Sequence, residues 1–178
     1  DEEPANRRRW SNTNQGNRAI ADQRLRRARA LLAADPQWRG RRSTVLDLGC
    51  GTGGVPGELF GDGADAPRVT GIDLSEERLR VAAERLAGVP LVRAEGSALP
   101  FVTGEFDLVL AFTVFSSVRD DVLARRMAAE IDRVLRPSGA VLWYDMRHPN
   151  PANPHTQAMS LRKVRSLFPR FTVALEPI

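Results

Sequence analysis

The run Val45-Leu46-Asp47-Leu48-Gly49-Cys50-Gly51-Thr52-Gly53-Gly54 decides the fold. Its first four residues are apolar apart from one acid, which suits a buried strand, and the glycines that follow suit a tight turn into a helix. Glycine takes backbone angles closed to other residues and leaves space where a Cβ would keep a ligand from the main chain. Strand, glycine turn and helix in this order make the first βα unit of a parallel sheet, with its binding edge at the carboxyl end of the strand.

Outward from this unit, residues 69–72 read as a second short strand ending at Asp73. Ser75 can cap a helix in which Leu79, Ala82, Ala83 and Leu86 share a face before Gly88 stops it. Residues 90–94 fit a third strand, and the apolar run 106–112 fits a fourth, buried on both sides. Residues 119–135 read as a helix with Val122, Met127, Ile131, Val134 and Leu135 as core contacts, and Pro137-Ser138-Gly139 turns into a fifth strand over 140–144. Upstream, residues 17–34 form an amphipathic helix carrying Ile20, Leu25, Ala28, Leu31 and Leu32 on one face, interrupted by Pro36. After Asp145 a loop rich in Pro and Asn leads to a helix near 160–168 and a last strand over 171–175. This alternation implies an α/β, Rossmann-like, doubly wound and mostly parallel sheet with helices on both faces.

A length of 178 residues accommodates one compact domain with a sizeable core. No stretch approaches the roughly 20 apolar residues of a membrane helix, and the start, Asp1-Glu2-Glu3-Pro4, has no signal-peptide pattern. Cys50 is the single cysteine, so no internal disulfide forms, and a soluble, cytoplasmic protein is expected. The net charge of +4 is concentrated at the start, where residues 1–42 hold eleven arginines against five acids. Only Trp10 and Trp38 interrupt those arginines, too few aromatics for a stacking platform, so nucleic acid is not the expected partner.

The string from Val45 to Gly53 closely resembles motif I of the class I S-adenosylmethionine-dependent methyltransferases. Other matches follow in the family's order: Gly71-Ile72-Asp73-Leu74-Ser75, Glu95-Gly96-Ser97-Ala98-Leu99-Pro100-Phe101, Phe106-Asp107-Leu108-Val109 and Arg133-Val134-Leu135-Arg136-Pro137-Ser138-Gly139. The resemblance, over roughly residues 40 to 145, implies S-adenosylmethionine as cofactor. It places Asp47, Gly49, Cys50 and Gly51 around the amino-acid end, Asp73 on the ribose, and Leu74 with Gly96, Ser97 and Ala98 at the adenine. It also implies Ala111, Phe112 and Arg18 among the cofactor contacts. Ser97 departs from the pattern, since many members carry an aspartate there that binds the adenine amino group; a hydroxyl or backbone contact must substitute. Cys50 reads as a small turn residue rather than a nucleophile, because no basic partner stands beside it.

The sulfonium methyl of such a cofactor is already activated, so the protein's tasks are alignment and exclusion of water, and a general base is optional. Tyr144, Asp145, His148 and His155 cluster after the fifth strand, at or beyond the ligand-binding edge, and His148 followed by Asp145 are the candidate catalytic groups. No metal-ligand set is evident. Asn150-Pro151 and Asn153-Pro154 superficially match the Asn-Pro motif of nucleic-acid amino methyltransferases, but they follow the fifth strand rather than the fourth and no aromatic follows. Residues 143–154, together with Trp10 and the run from Asn17 to Ile20, resemble a bacterial subgroup associated with polysaccharide or specialised-metabolite pathways. There residues 1–40 form a helical segment covering the cofactor and residues 41–178 the methyltransferase domain, with a small-molecule acceptor methylated on oxygen or nitrogen.

Three other readings compete. Gly49, Gly51 and Gly54 satisfy the dinucleotide spacing G-x-G-x-x-G with Asp73 downstream, as a nicotinamide-dependent oxidoreductase would. A methyltransferase-like protein holding cofactor without turnover, and an RNA methyltransferase, are the others. The family's sheet ends in an antiparallel pair, and residues 171–175 supply one strand at most, so that edge is expected to be incomplete and the native chain to continue past Ile178.

Overall fold

The computed structural model describes residues 15–35, 43–61, 66–148 and 155–175. They fall into two compact units, one holding residues up to 39 together with those from Ala174 onward, the other spanning Gly40–Val173. The first contains helix α1, Gln15–Ala34, which begins two residues earlier than its apolar spacing predicts.

The second unit runs β1 (Thr44–Leu48), α2 (Gly54–Phe60), β2 (Arg68–Asp73), α3 (Glu76–Arg85), β3 (Leu91–Arg93), β4 (Phe106–Phe112), a 3-10 turn (Phe115–Ser117), α4 (Asp121–Val134), β5 (Leu135–Tyr144) and α5 (Leu161–Leu167). The strands lie in the order β3-β2-β1-β4-β5, all parallel. Going from β1 to β2 to β3 the chain moves one way across the sheet, then returns to the far side of β1 for β4 and β5. With right-handed crossovers, the helices of the two halves lie on opposite faces, and the order reverses between β1 and β4.

Alternation along the strands supports this two-sided burial. Leu46 and Leu48 of β1, Ile72 of β2 and Val109 and Ala111 of β4 pack with Met127, Ala128, Ile131 and Val134 of α4. Val45, Leu108 and Leu110, which point the other way, are equally buried, as are Leu59 of α2 and Leu79 and Ala82 of α3. All seven positions of β4 are buried, as its apolar run requires. Ser75 and Asp120 cap α3 and α4, accepting backbone N–H bonds from Arg78 and from Val122 and Leu123. Ile131 is completely buried in this packing. Ile131→Ala is therefore expected to lower stability by about 3 kcal/mol, through lost apolar transfer and the cavity left behind; urea denaturation checks it.

Two expectations need correction. β5 does not begin after a Pro137-Ser138-Gly139 turn: it starts at Leu135, directly at the end of α4, and carries an irregularity opposite Phe106 to Leu108. A side chain at Gly139 would meet the backbone oxygens of Arg136 and Asp107 at 2.9 and 3.2 Å, so the glycine lets this bulge lie against β4. The strand expected over 171–175 is not formed among the described residues. The Phe171 amide instead turns back onto the Phe168 carbonyl, 3.2 Å away, and the two rings pack edge to face at 5.3 Å, so burial of the aromatic replaces a strand ladder. No antiparallel strand pairing occurs among the described residues. The Asn-Pro pairs, Trp10 and Trp38 lie outside them.

Candidate active site at the sheet switch point

The carboxyl ends of β1 and β4 flank the point where strand order reverses, and the glycine turn lies over it. Gly49 and Gly51 have φ angles of 68° and 55°, which a side chain rarely permits. The two glycines serve different purposes. A Cβ on Gly49 would strike Val114 Cγ2 at 2.9 Å, so this residue lets the turn close against the loop after β4; a Cβ on Gly51 would meet nothing nearer than the Gly49 carbonyl at 4.0 Å. Among the described residues, open space therefore lies over the main chain at Gly51.

Two carboxylates stand at the adjacent strand ends. Asp73, at the end of β2, accepts the Gly51 N–H on Oδ2 at 3.0 Å and the Ser75 N–H on Oδ1 at 2.8 Å, so it ties the glycine turn to the start of α3. Each oxygen keeps a further acceptor site for a ligand hydroxyl. Among the described residues, Asp47, only 2% exposed, has no hydrogen-bond partner for its Oδ2. Burial, reinforced by the charge of Asp73, pushes its carboxyl up to about 7. A buried acid oxygen without a partner is costly, and a cation or N–H donor brought in by a ligand would relieve it. Burial, then Asp47 and Asp73, also push the Cys50 thiol up to about 12, which leaves it inert, as its reading as a turn residue requires.

The remaining expected contacts fall in different surroundings. Leu74 is 62% exposed, an apolar surface next to Asp73. The Ala94 amide donates to the Asp73 carbonyl at 3.3 Å, starting the loop 95–101 from the same edge. Within it Ser97 Oγ donates to Glu95 Oε2 at 3.4 Å and Ala98 is exposed. Gly96 has a packing reason of its own, since a Cβ there would strike Met127 Cε at 2.8 Å. Ala111 is buried in the core and the Phe112 ring lies 6.0 Å from that of Tyr144, so neither side chain is free at the rim. Arg18 is exposed on α1, in the other unit.

Among the catalytic candidates, Asp145 is held in place by backbone donors: the Ser116 N–H at 2.9 Å and the Met146 N–H at 3.0 Å. Burial raises its carboxyl above the ordinary carboxylate value, with these donors opposing. His148 lies exposed in the bend that follows, and His155 is also exposed.

The structure adds a residue that sequence reasoning missed. Thr113, directly after β4, has a φ of 56°, while its N–H donates to the Tyr144 carbonyl at 2.7 Å. A β-branched residue in left-handed geometry is strained, and strain of this kind gathers at functional sites. Nothing in the sequence signals it, because Thr is among the residues least expected there.

Residues 45–139 match the family described as a methyltransferase domain. A demethylmenaquinone methyltransferase of Lactococcus lactis subsp. lactis (strain IL1403) is 32% identical over 111 residues, 60% of this chain and 43% of that protein. A malonyl-[acyl-carrier protein] O-methyltransferase of Enterobacter lignolyticus (strain SCF1) is 37% identical over 119 residues, 65% of this chain and 43% of that protein. The aligned stretch thus spans less than half the length of either relative. The crystal structure of the PH0226 protein from Pyrococcus horikoshii OT3 superposes with a TM-score of 0.60 at 26% identity, over 78% of this chain and 59% of that one.

Proposed function

Since the chain belongs to the methyltransferase domain family, we propose that it is an S-adenosylmethionine-dependent methyltransferase acting on a small-molecule acceptor in the cytoplasm. The observation that carries this reading is the unpartnered Oδ2 of Asp47, buried at the β1 end next to the open backbone of Gly51. The amino-acid end of the cofactor brings the ammonium that this oxygen lacks, whereas a dinucleotide pyrophosphate would set anionic charge beside an acid. Asp73 would hold the ribose hydroxyls while fixing the turn, Leu74 would border the adenine, and the backbone of 96–98 would take the role that Ser97 leaves vacant. Bound there, the cofactor would supply an activated sulfonium methyl, and the residues of the site need only orient it and the acceptor and keep water out.

Titration calorimetry with S-adenosylhomocysteine and with NADPH tests the reading: the first is expected to bind and the second not, and the reverse result would restore the oxidoreductase. The relatives are named for acting on demethylmenaquinone and on a malonyl acyl-carrier protein. The second is named an O-methyltransferase, which supports oxygen out of the oxygen or nitrogen that the sequence reading gives as the methylated atom.

For the acceptor, the two backbone bonds on Asp145 suit a brace between the end of β5 and the 3-10 turn better than a mobile base. His148 is then the proposed general base. His148→Ala is expected to lower kcat by about a hundredfold while S-adenosylhomocysteine affinity stays within about twofold. Equal turnover in the variant would remove His148 from the mechanism.

A further inference from the structure

We infer that Glu130 and Arg133, on the last turns of α4, are positioning residues that hold the loop 95–101 in the shape that reads the adenine base; this rests on the cofactor reading above. The pair is fused into one rigid unit. Arg133 Nε donates to Glu130 Oε1 at 2.7 Å and its Nη2 to Glu130 Oε2 at 2.7 Å, a bidentate arrangement that fixes both side chains. What the unit does not spend on itself goes to loop backbone. Glu130 Oε2 accepts the Leu99 N–H at 2.8 Å, Arg133 Nη2 donates to the Leu99 carbonyl at 3.0 Å, and Nη1 donates to the Phe101 carbonyl at 2.8 Å. The Arg133 carbonyl accepts the Gly104 N–H at 3.0 Å, which anchors the chain just beyond.

One end of the loop is therefore set by the Asp73 carbonyl through Ala94, and the other by this pair. Between them Gly96 rests on Met127 of the same helix. Residues 96–98 form a turn closed by the Ala98 N–H donating to the Glu95 carbonyl at 3.1 Å, and the two fixed ends set where that turn stands. The departure at Ser97 makes this matter more. Without an acidic side chain to take the base amino group, recognition falls to backbone groups, whose positions depend wholly on how firmly the loop is held. Glu130 is drawn well into its ionised form by Arg133, against the cost of burial and with help from the Leu99 N–H, so the clamp is closed at neutral pH.

The test separates a clamp on the adenine loop from a general stabilising pair. Affinities for S-adenosylhomocysteine and for S-inosylhomocysteine, in which the 6-amino group becomes a carbonyl and N1 turns from acceptor to N–H donor, are measured by calorimetry on the whole chain. The parent protein is expected to prefer the adenine compound by about tenfold, the worth of one good hydrogen bond. In Arg133→Met, which keeps the stem and loses the fork, the preference is expected to collapse to near unity, and in Glu130→Gln to fall partway. Hydrogen exchange at the Leu99 amide is expected to quicken in Arg133→Met before any ligand is added. A parent that prefers adenine and variants that keep the same preference would overturn the inference and leave the cofactor reading standing. A parent that binds both compounds equally would also overturn it, and a parent that binds neither would sink both. A variant that melts earlier and weakens both compounds alike would show the pair to be structural only.

Discussion

Gly51→Val abolishes binding of S-adenosylhomocysteine, and Asp73→Ala weakens it by about a hundredfold; these are the largest effects expected at this site. The valine acts in two ways. Gly51 sits at a φ of 55°, which a β-branched residue adopts only under strain, and its branched side chain would enter the space that is open over the turn. Gly51→Ala separates the two, since it carries the strain with little of the bulk. Asp73→Ala removes the acceptor for the ribose hydroxyls and at once frees the Gly51 and Ser75 amides it holds. Asp73→Asn, which can keep one of those backbone bonds but not the charge, should fall between. Thermal melts of all four variants show how much of each loss is folding. Normal binding by folded Gly51→Val would mean that the loop is only a turn, and normal binding by Asp73→Ala would remove that residue from the ribose.

The glycine turn and both strand-end acids were legible because they rest on local pattern: an apolar strand, glycines at fixed offsets, an acid at the end of the next strand. A parallel sheet with helices on both faces followed from alternation and handedness, whereas the strand order came only with the structure. What escaped was set by tertiary context. The burial of Phe171 against Phe168 overrides a strand-like run at 171–175, and the bulge at Gly139 joins β5 directly to α4 where Pro137 suggests a break. The strain at Thr113 comes from fastening β4 to Tyr144 across the sheet, a contact between residues far apart in sequence. Glu130 and Arg133 look like an ordinary helix-surface pair, three residues apart, until the loop they grip is seen. His148 and Asp145 were proposed from their place after β5 alone, and the structure shows Asp145 held by the Ser116 and Met146 amides.

Cofactor affinity is expected to fall about fivefold from pH 7 to 6 and about tenfold from pH 6 to 5, so that at pH 5 it is about fiftyfold weaker than at pH 7. The cause is Asp47. In the free protein its carboxyl is held up to about 7 by burial and by Asp73, so it is mostly protonated under mildly acidic conditions. An ammonium placed against Oδ2 stabilises the ionised form and draws that value down. Below pH 7 binding must therefore expel a proton, and it becomes harder as protons become more abundant; just above pH 7 the carboxyl is already ionised and affinity levels off. Calorimetry at pH 6 in buffers of different ionisation enthalpy should detect close to one proton released per cofactor bound. The same group gives the opposite sign for folding. Between about 4 and 7 the native state holds a proton that the unfolded chain has lost, so stability of the cofactor-free protein declines as pH rises through that window and is level above it. Asp47→Asn removes both effects: the variant should match the parent near pH 4, be more stable than it above pH 7, bind cofactor weakly, and show no pH dependence of binding between 5 and 7. Flat affinity in the parent over that range, with no proton released, would mean that no cation approaches Asp47 and that its buried oxygen is satisfied some other way.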